Sequence, residues 1–191
     1  AGVGSGDHVV EIGPGFGSLT LALADTGAHV LAIEVDRGVT PVLCDIVAHL
    51  PNVEVLHADA MQLDWADALR DAPSWTLVAN LPYNVATPLV CDLLDGVPQI
   101  GRMLVMVQRE VGDWMCAAPS TPAYGAVTVK VAHWATARIA AAVPATVFVP
   151  RPNVQSALVE ITRRPQPASA ADPEVLFTLV RTAFGQRRKM M

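Results

Sequence analysis

The sequence predicts an α/β protein built on a doubly wound, mostly parallel sheet. Short apolar runs alternate with stretches of about ten residues at helical spacing, a pattern typical of parallel strands joined by right-handed crossovers. The chain has 191 residues, 52% of them hydrophobic, enough for one well-filled domain. In such a sheet, ligands bind at the carboxyl ends of the strands.

The first half of the chain carries the alternating pattern. Apolar runs bounded by turn residues predict strands at 8–13, 29–35, 53–58, 75–79 and 103–107. Apolar positions at helical spacing predict helices at 18–25, 37–50 and 87–94.

The later part of the chain departs from this pattern. A helix is expected at 111–117, before a proline- and serine-rich break. Two further strands, at 135–143 and 157–162, are predicted to form an antiparallel pair at one edge of the sheet. A linker at 164–172 then leads into a helix at 173–191.

Composition excludes several classes of protein. No apolar run reaches the roughly 18 residues that a membrane span requires, and the first residues lack a signal-peptide pattern. Cys44, Cys91 and Cys116 are too far apart for a zinc pattern, and the histidines show no metal-binding spacing. We therefore expect a soluble, cytoplasmic protein without a membrane or metal partner.

The charge distribution is uneven along the chain. The net charge is −5, yet residues 1–100 carry 2 basic and 13 acidic side chains, whereas residues 101–191 carry 11 basic and 5 acidic ones. This division indicates a cationic edge that suits a nucleic acid. Ordinary variation of surface charge is the alternative.

A glycine-rich turn closes the first predicted strand. Residues 11–17 read EIGPGFG, and glycines there allow unusual dihedrals and close approach of a ligand to the backbone. The GxGxG spacing, with Glu11 before it, differs from the GxGxxG of NAD-binding folds. A tight turn that binds no ligand remains an alternative.

Two acidic residues end the next strands. Glu34 is placed to accept hydrogen bonds from ribose hydroxyls, and Asp59 from an adenine amine, while the Ala60 amide can meet a ring nitrogen. Either acid alone could be a helix cap or a solvated group. Together with the glycine turn, they favour a cofactor that contains adenosine.

The fourth strand leads into Asn80, Leu81, Pro82 and Tyr83. An adenine amine is a poor nucleophile, and acceptors for its N–H groups favour the form that carries a lone pair. The Asn80 amide oxygen and the Leu81 carbonyl supply such acceptors. Pro82 stiffens the loop, and Tyr83 offers a face on which a base can stack. A proline turn that packs a tyrosine against the sheet is the alternative.

The sequence closely resembles the KsgA/RsmA family of small-subunit ribosomal RNA adenine dimethyltransferases. The resemblance rests on eight blocks that occur in order: VEIGPGFGSLT (10–20), IEVD (33–36), DAM (59–61), NLPYN (80–84), QREV (108–111), AYG (123–125), FVPRPNVQSA (148–157) and FGQRRK (184–189).

This resemblance implies a Rossmann-like class I methyltransferase fold with a seven-stranded sheet. It implies N6,N6-dimethylation of two adjacent adenosines in a hairpin loop near the 3′ end of small-subunit rRNA, with S-adenosylmethionine as cofactor. Tyr83 and Phe148 match the aromatic residues that sandwich the adenine. Arg187, Arg188 and Lys189 match contacts to the RNA backbone. The predicted cofactor-binding residues are Glu11, Gly13, Gly15, Gly17, Glu34, Asp59, Ala60 and Asn80.

The resemblance also predicts the organisation of the chain. Residues 1–163 are expected to form the catalytic domain, and residues 164–191 a linker and the start of a helical RNA-binding domain. The family's amino-terminal GQNFL-like motif is absent, so we expect a core fragment. We also expect a monomer that binds the small ribosomal subunit.

Three other functions share much of this pattern. An Erm-type enzyme would methylate large-subunit rRNA with the same chemistry. A DNA adenine methyltransferase usually has proline where Leu81 stands and lacks the Phe148 and Arg-Arg-Lys blocks. An assembly factor would act mainly by binding the immature small subunit.

Overall fold

The computed structural model describes residues 1–149 and 151–185 and contains one seven-stranded sheet. The strands are β1 (His8–Ile12), β2 (His29–Glu34), β3 (Val53–His57), β4 (Trp75–Asn80), β5 (Ile100–Gln108), β6 (Ala135–Val143) and β7 (Ser156–Arg163). The helices are α1 (Ser18–Ala24), α2 (Val39–Val47), α3 (Trp65–Ala68), α4 (Ala86–Gly96), α5 (Arg109–Met115), α6 (Ala126–Trp134) and α7 (Pro173–Gly185).

The sheet order is β3-β2-β1-β4-β5-β7-β6. The first five strands pair in parallel, and β7 pairs antiparallel with both β5 and β6. The predicted doubly wound sheet with an antiparallel edge pair is therefore confirmed. The chain order reverses between β1 and β4, which creates the topological switch point at which such sheets bind ligands.

The parallel strands form because their residues are apolar on both faces. Val9 and Val10 in β1, and Leu77 in β4, are fully buried. Helices cover both faces of a sheet of this kind, so each strand reads as a continuous apolar run. This continuity explains why these strands were predictable.

Two helices were not predicted. In α6, Val127, Val129 and Val131 alternate with polar residues, so the pattern suits a strand as well as a helix. The four-residue α3 is too short for periodicity, and its signal is the Asp64 side chain, which caps the Ala66 and Asp67 amides. The predicted strands and helices are present, most of them with shifted ends, and β6 has the ends that were predicted.

Helix α7 lies against α6. Phe177 is 6% exposed, and its ring meets His133 edge-on while the Lys130 ammonium lies 5.3 Å from its centre. The predicted helix to residue 191 includes residues 186–191, which lie outside the described part. Within the part of the chain that the structure describes, no helix is both long and apolar enough to cross a membrane.

Arg163, the last residue of β7, joins the sheet to the end of α4. Its guanidinium donates hydrogen bonds to four backbone carbonyls, those of Leu93, Leu94, Val97 and Ile100, at 2.8–3.1 Å. The last carbonyls of a helix have no partner within the helix. A cation there also interacts favourably with the helix dipole.

We therefore expect Arg163→Ala to lower the free energy of unfolding by about 2 to 4 kcal/mol, because it leaves several buried carbonyls without a hydrogen-bond partner. Urea denaturation of the variant and the wild type measures this. Arg138→Ala is the control: Arg138 pairs with Glu160 but its side chain is 69% exposed, so about 0.5 kcal/mol or less is expected. Equal effects of the two substitutions would contradict the capping role.

Candidate active site

A cleft of about 260 Å³ lies where β1, β2 and β3 end. Its walls include Gly13, Glu34, Asp59 and Ala60, four residues that the sequence predicted to bind a cofactor. The parallel register of β1, β2 and β3 places their carboxyl ends side by side, so residues distant in sequence meet here. The remaining wall residues are Ile12, Ile33, Val35, Ala58, Met61, Pro82, Asn84, Val85 and Leu89.

The glycine turn adopts backbone conformations that favour glycine. Gly13 has φ 72°, and a Cβ there would lie 3.7 Å from the Pro82 side chain, so the turn after β1 touches the loop after β4. Gly17 has φ 81°, and a Cβ there would lie 2.9 Å from Leu43 of α2. Gly13 therefore keeps the cleft open, and Gly17 lets the turn pack against a helix.

Glu34 fastens the glycine turn to the end of β2. Its Oε2 accepts a hydrogen bond from the Gly15 amide at 3.1 Å, and its Oε1 accepts one from the Asp36 amide at 2.9 Å. The side chain is buried but borders the cleft. Each carboxylate oxygen has a second lone pair, so Glu34 can still accept from a ligand hydroxyl.

Asp59 is also held by its neighbours. Its Oδ1 accepts from the Met61 amide and its Oδ2 from the Gln62 side chain, both at 2.9 Å. These bonds fix the orientation of the carboxylate at the cleft wall. Ala60, next to it, is 8% exposed, and its carbonyl accepts a hydrogen bond from the Trp65 indole.

Glu11 lies beneath the glycine turn rather than on the cleft wall. It is 2% exposed, and the Thr20 hydroxyl donates a hydrogen bond of 2.6 Å to its Oε2. Burial, reinforced by the charge of Glu34 and opposed by the Thr20 hydrogen bond, raises the pKa of Glu11 from 4.5 to about 7. Glu11, which belongs to β1, is thus a buried carboxyl that can change its charge near pH 7.

A second cleft of about 280 Å³ adjoins the first. It is lined by Asn80, Leu81, Pro82, Tyr83, Phe148 and Pro152. The structure thus brings together all five residues that the sequence assigned to catalysis. Pro82 borders both clefts, so a ligand in one lies next to a ligand in the other.

The loop after β4 is rigidly placed. Asn80 is the last residue of β4 and is exposed, whereas the Leu81 side chain is 1% exposed and packs in the core. The Leu81 amide donates to the Met106 carbonyl of β5 at 3.2 Å. The loop is therefore tied to the next strand before it turns at Pro82.

Some predicted residues lie elsewhere. Gly15 and Gly17 shape the turn without lining the first cleft, and Asn80, also predicted to bind the cofactor, lines the second cleft instead. Arg187, Arg188 and Lys189 lie outside the described residues. In the described ranges 1–149 and 151–185, no group of three or more His, Cys, Asp or Glu side chains could hold a metal ion.

Sequence reasoning missed several residues of the site. Asn84 and Met61 line the first cleft, and Ser156 forms a hydrogen bond with Tyr83, which lines the second. The three residues were quoted only as parts of the DAM, NLPYN and FVPRPNVQSA blocks and were given no role. No local pattern connects Ser156 with Tyr83, because 73 residues separate them.

The sheet order and the two clefts at its switch point define a class I methyltransferase fold. A dimethyladenosine transferase from Plasmodium falciparum has a TM-score of 0.82 and 25% identity, over 97% of this chain and 66% of that one. The 23S rRNA methyltransferase ErmE has a TM-score of 0.77 and 25% identity, over 96% of this chain and 73% of that one.

Sequence comparison identifies the family. A family profile described as "Ribosomal RNA adenine dimethylase" matches residues 3–191, and the chain belongs to that family. "Ribosomal RNA small subunit methyltransferase A" of Acidothermus cellulolyticus is 43% identical over all of this chain and 66% of its own length. The same-named protein of Anoxybacillus flavithermus is 42% identical over 95% of this chain and 63% of its own length. The chain thus spans about two thirds of these relatives.

The raised pKa of Glu11 predicts a pH-dependent stability. Below pH 4.5 the Glu11 carboxyl is protonated in both the folded and the unfolded protein. Its contribution to the free energy of unfolding is then fully present. Between pH 4.5 and 7 only the unfolded state ionises, so stability falls as pH rises, by about 3 kcal/mol in total. We expect Glu11→Gln, which stays neutral, to lose this dependence.

Urea denaturation at pH 4 and pH 8 measures the difference between the two proteins. The variant should gain about 3 kcal/mol relative to the wild type between these pH values. If the free energy of unfolding changes with pH in the same way in both proteins, the pKa of Glu11 is not raised in the folded state.

Proposed function

We propose that this protein is an S-adenosylmethionine-dependent methyltransferase that forms N6,N6-dimethyladenosine in small-subunit ribosomal RNA. The observation that carries the proposal is the pair of adjoining clefts that share Pro82. One cleft has carboxylates suited to an adenosine, and the other has two aromatic rings and an amide suited to a base. A transfer between two bound ligands needs this arrangement.

The first cleft fits the cofactor by the chemistry of its walls. Glu34 and Asp59 supply oriented carboxylate oxygens for ribose hydroxyls and an adenine amine, and the Ala60 amide lies beside them. Gly13 leaves room that a side chain would fill, while Gly15 and Gly17 form the turn. When bound, S-adenosylmethionine supplies an electrophilic methyl group on a positively charged sulfur.

Glu11 supports this cofactor electrostatically. Its pKa of about 7 lets the carboxyl change charge near neutral pH. The positive charge of S-adenosylmethionine in the first cleft would favour the ionised form of Glu11, because an opposite charge lowers the pKa of an acid. Glu11 thereby contributes to binding without lining the cleft.

The second cleft activates and holds the adenine. The Asn80 side-chain oxygen and the Leu81 carbonyl accept hydrogen bonds from the N6 amine, which favours a lone pair on that nitrogen. Tyr83 and Phe148 provide faces on which the base stacks. We also assign to Asn80 a contact with the cofactor, although Asn80 ends β4 in the second cleft and does not line the first.

Substrate class follows from the relatives and the charge. Both relatives described above are named as small-subunit methyltransferases, which favours small-subunit rRNA over the large-subunit rRNA of ErmE. The target within it is a pair of adjacent adenosines in a hairpin loop near the 3′ end. Arg187, Arg188 and Lys189 contact the RNA backbone, consistent with the basic later half of the sequence.

In this proposal residues 1–163 form the catalytic domain, and residues 164–191 form a linker and the start of a helical RNA-binding domain. The protein acts in the cytoplasm as a monomer on the small ribosomal subunit. The same RNA-binding residues also suit binding to an immature small subunit during its assembly.

We expect Asn80→Ala to lower kcat for RNA methylation by about 30- to 1000-fold, the effect of losing one transition-state hydrogen bond worth about 2 to 4 kcal/mol. Single-turnover methylation of unmethylated small subunits measures the loss. Folding should be retained, because Asn80 is exposed at the end of its strand.

Asn80→Asp is the matched control, since it keeps an acceptor oxygen of the same shape. It should lose less activity than Asn80→Ala. If Asn80→Ala methylates the subunits within twofold of the wild-type rate, the assigned role is wrong.

A further inference from the structure

A hydrogen bond joins the catalytic loop to the start of β7. The hydroxyl oxygens of Tyr83 and Ser156 lie 2.9 Å apart, although 73 residues separate them in sequence. Ser156 is fully buried, whereas Tyr83 is half-buried at the second cleft. A buried serine hydroxyl must find a partner, and here that partner is the tyrosine of the cleft.

Ser156 is a fixed anchor for this bond. It is the first residue of β7, and it pairs with Gln108 of β5 on one side and Val143 of β6 on the other. The backbone at Ser156 is therefore held by strands on both sides. Its hydroxyl marks a point in space that the sheet determines.

Tyr83 depends on such an anchor. It lies in the loop between β4 and α4, immediately after Pro82, and its ring forms part of the cleft wall. A tyrosine ring at a partly exposed position can rotate about two side-chain torsions. Holding its hydroxyl restricts both torsions and keeps the ring at the wall.

The segment that leads into β7 supplies two further residues of the cleft wall. Phe148 and Pro152 precede Ser156 and line the cleft together with Tyr83. The hydrogen bond thus connects the catalytic loop to the segment that carries the second aromatic ring.

We propose that Ser156 is a positioning residue that holds the Tyr83 ring, through the bond between their hydroxyls, in the orientation that receives the target adenine. This inference rests on the proposed function. Ser156 does not contact the base; it acts through Tyr83. An oriented ring stacks on the adenine without first losing rotational freedom, and a fixed base presents its amine more often.

A double-mutant cycle tests this role. Ser156→Ala and Tyr83→Phe each remove the same hydrogen bond and leave the tyrosine or phenylalanine ring in place. Each should lower kcat on unmethylated small subunits by about 3- to 10-fold, as expected for one neutral hydrogen bond. The double variant should be no slower than the slower single variant, because only one bond exists to lose.

A second readout reports the ring directly. A hairpin RNA that carries 2-aminopurine in place of the target adenine loses fluorescence when the base stacks on an aromatic ring. Both single variants should show weaker quenching at saturating protein. S-adenosylmethionine affinity, measured by calorimetry, should stay unchanged, since neither hydroxyl borders the first cleft.

Thr128→Val is the matched control for the loss of a buried hydroxyl. Thr128 is 3% exposed, donates to the Trp114 carbonyl at 2.6 Å and lines neither cleft. It should lower thermal stability without changing kcat or quenching. If it reduces quenching as much as Ser156→Ala does, the effect is general destabilisation and the proposal is overturned.

The other outcomes distinguish failure of the positioning role from failure of the proposed function. If the losses of kcat in the cycle are additive, or if Tyr83→Phe quenches 2-aminopurine as strongly as the wild type does, the positioning role is overturned. Methylation by the wild type then still supports the proposed function. A wild type that methylates no adenine overturns the proposed function, and this inference with it. If Ser156→Ala does not fold, Tyr83→Phe alone removes the bond without disturbing the buried strand, and its kcat and quenching give the answer.

Discussion

The parallel pairing of β1 with both β2 and β4 is the constraint on which the site depends. β1 lies between them, so the glycine turn after β1 meets Glu34 on one side and the loop after β4 on the other. Gly13 lies beside Pro82, close enough that an added Cβ would contact it, and Pro82 borders both clefts. If the pairing of one strand shifted by one residue, these groups would separate and core residues would turn toward solvent.

Buried carboxylates connect the site to the stability of the fold. Glu11 and Glu34 are both nearly inaccessible to solvent, and both are engaged by neighbouring groups. Burying a carboxylate is costly, and a bound cation offsets that cost. The glycine turn is therefore expected to be more stable with its cofactor than without it, as mass action requires of any ligand that binds only the folded state.

Most of the fold, and many of the residues that line the two clefts, could be predicted from the sequence. Continuous apolar runs such as those around Val9 and Leu77 predict buried strands, and chain order then places their ends together. Helix α6 escaped prediction because its valines alternate like those of a strand. Hydrogen bonds between distant residues, such as Tyr83 with Ser156, leave no periodic signal. The hydrogen bonds from Gly15 to Glu34 and from Gln62 to Asp59 also escaped, because motif matching assigns a ligand to a carboxylate and ignores its protein partners.

The central claim is that two adjoining clefts transfer a methyl group to adenine in small-subunit rRNA. Incubation of the protein and methyl-labelled S-adenosylmethionine with unmethylated small subunits, large subunits and duplex DNA tests it most directly. We expect label only in small subunits, recovered by mass spectrometry as N6,N6-dimethyladenosine and mapped by primer extension to adjacent adenosines. Label in large subunits or DNA, or none in small subunits, would contradict it.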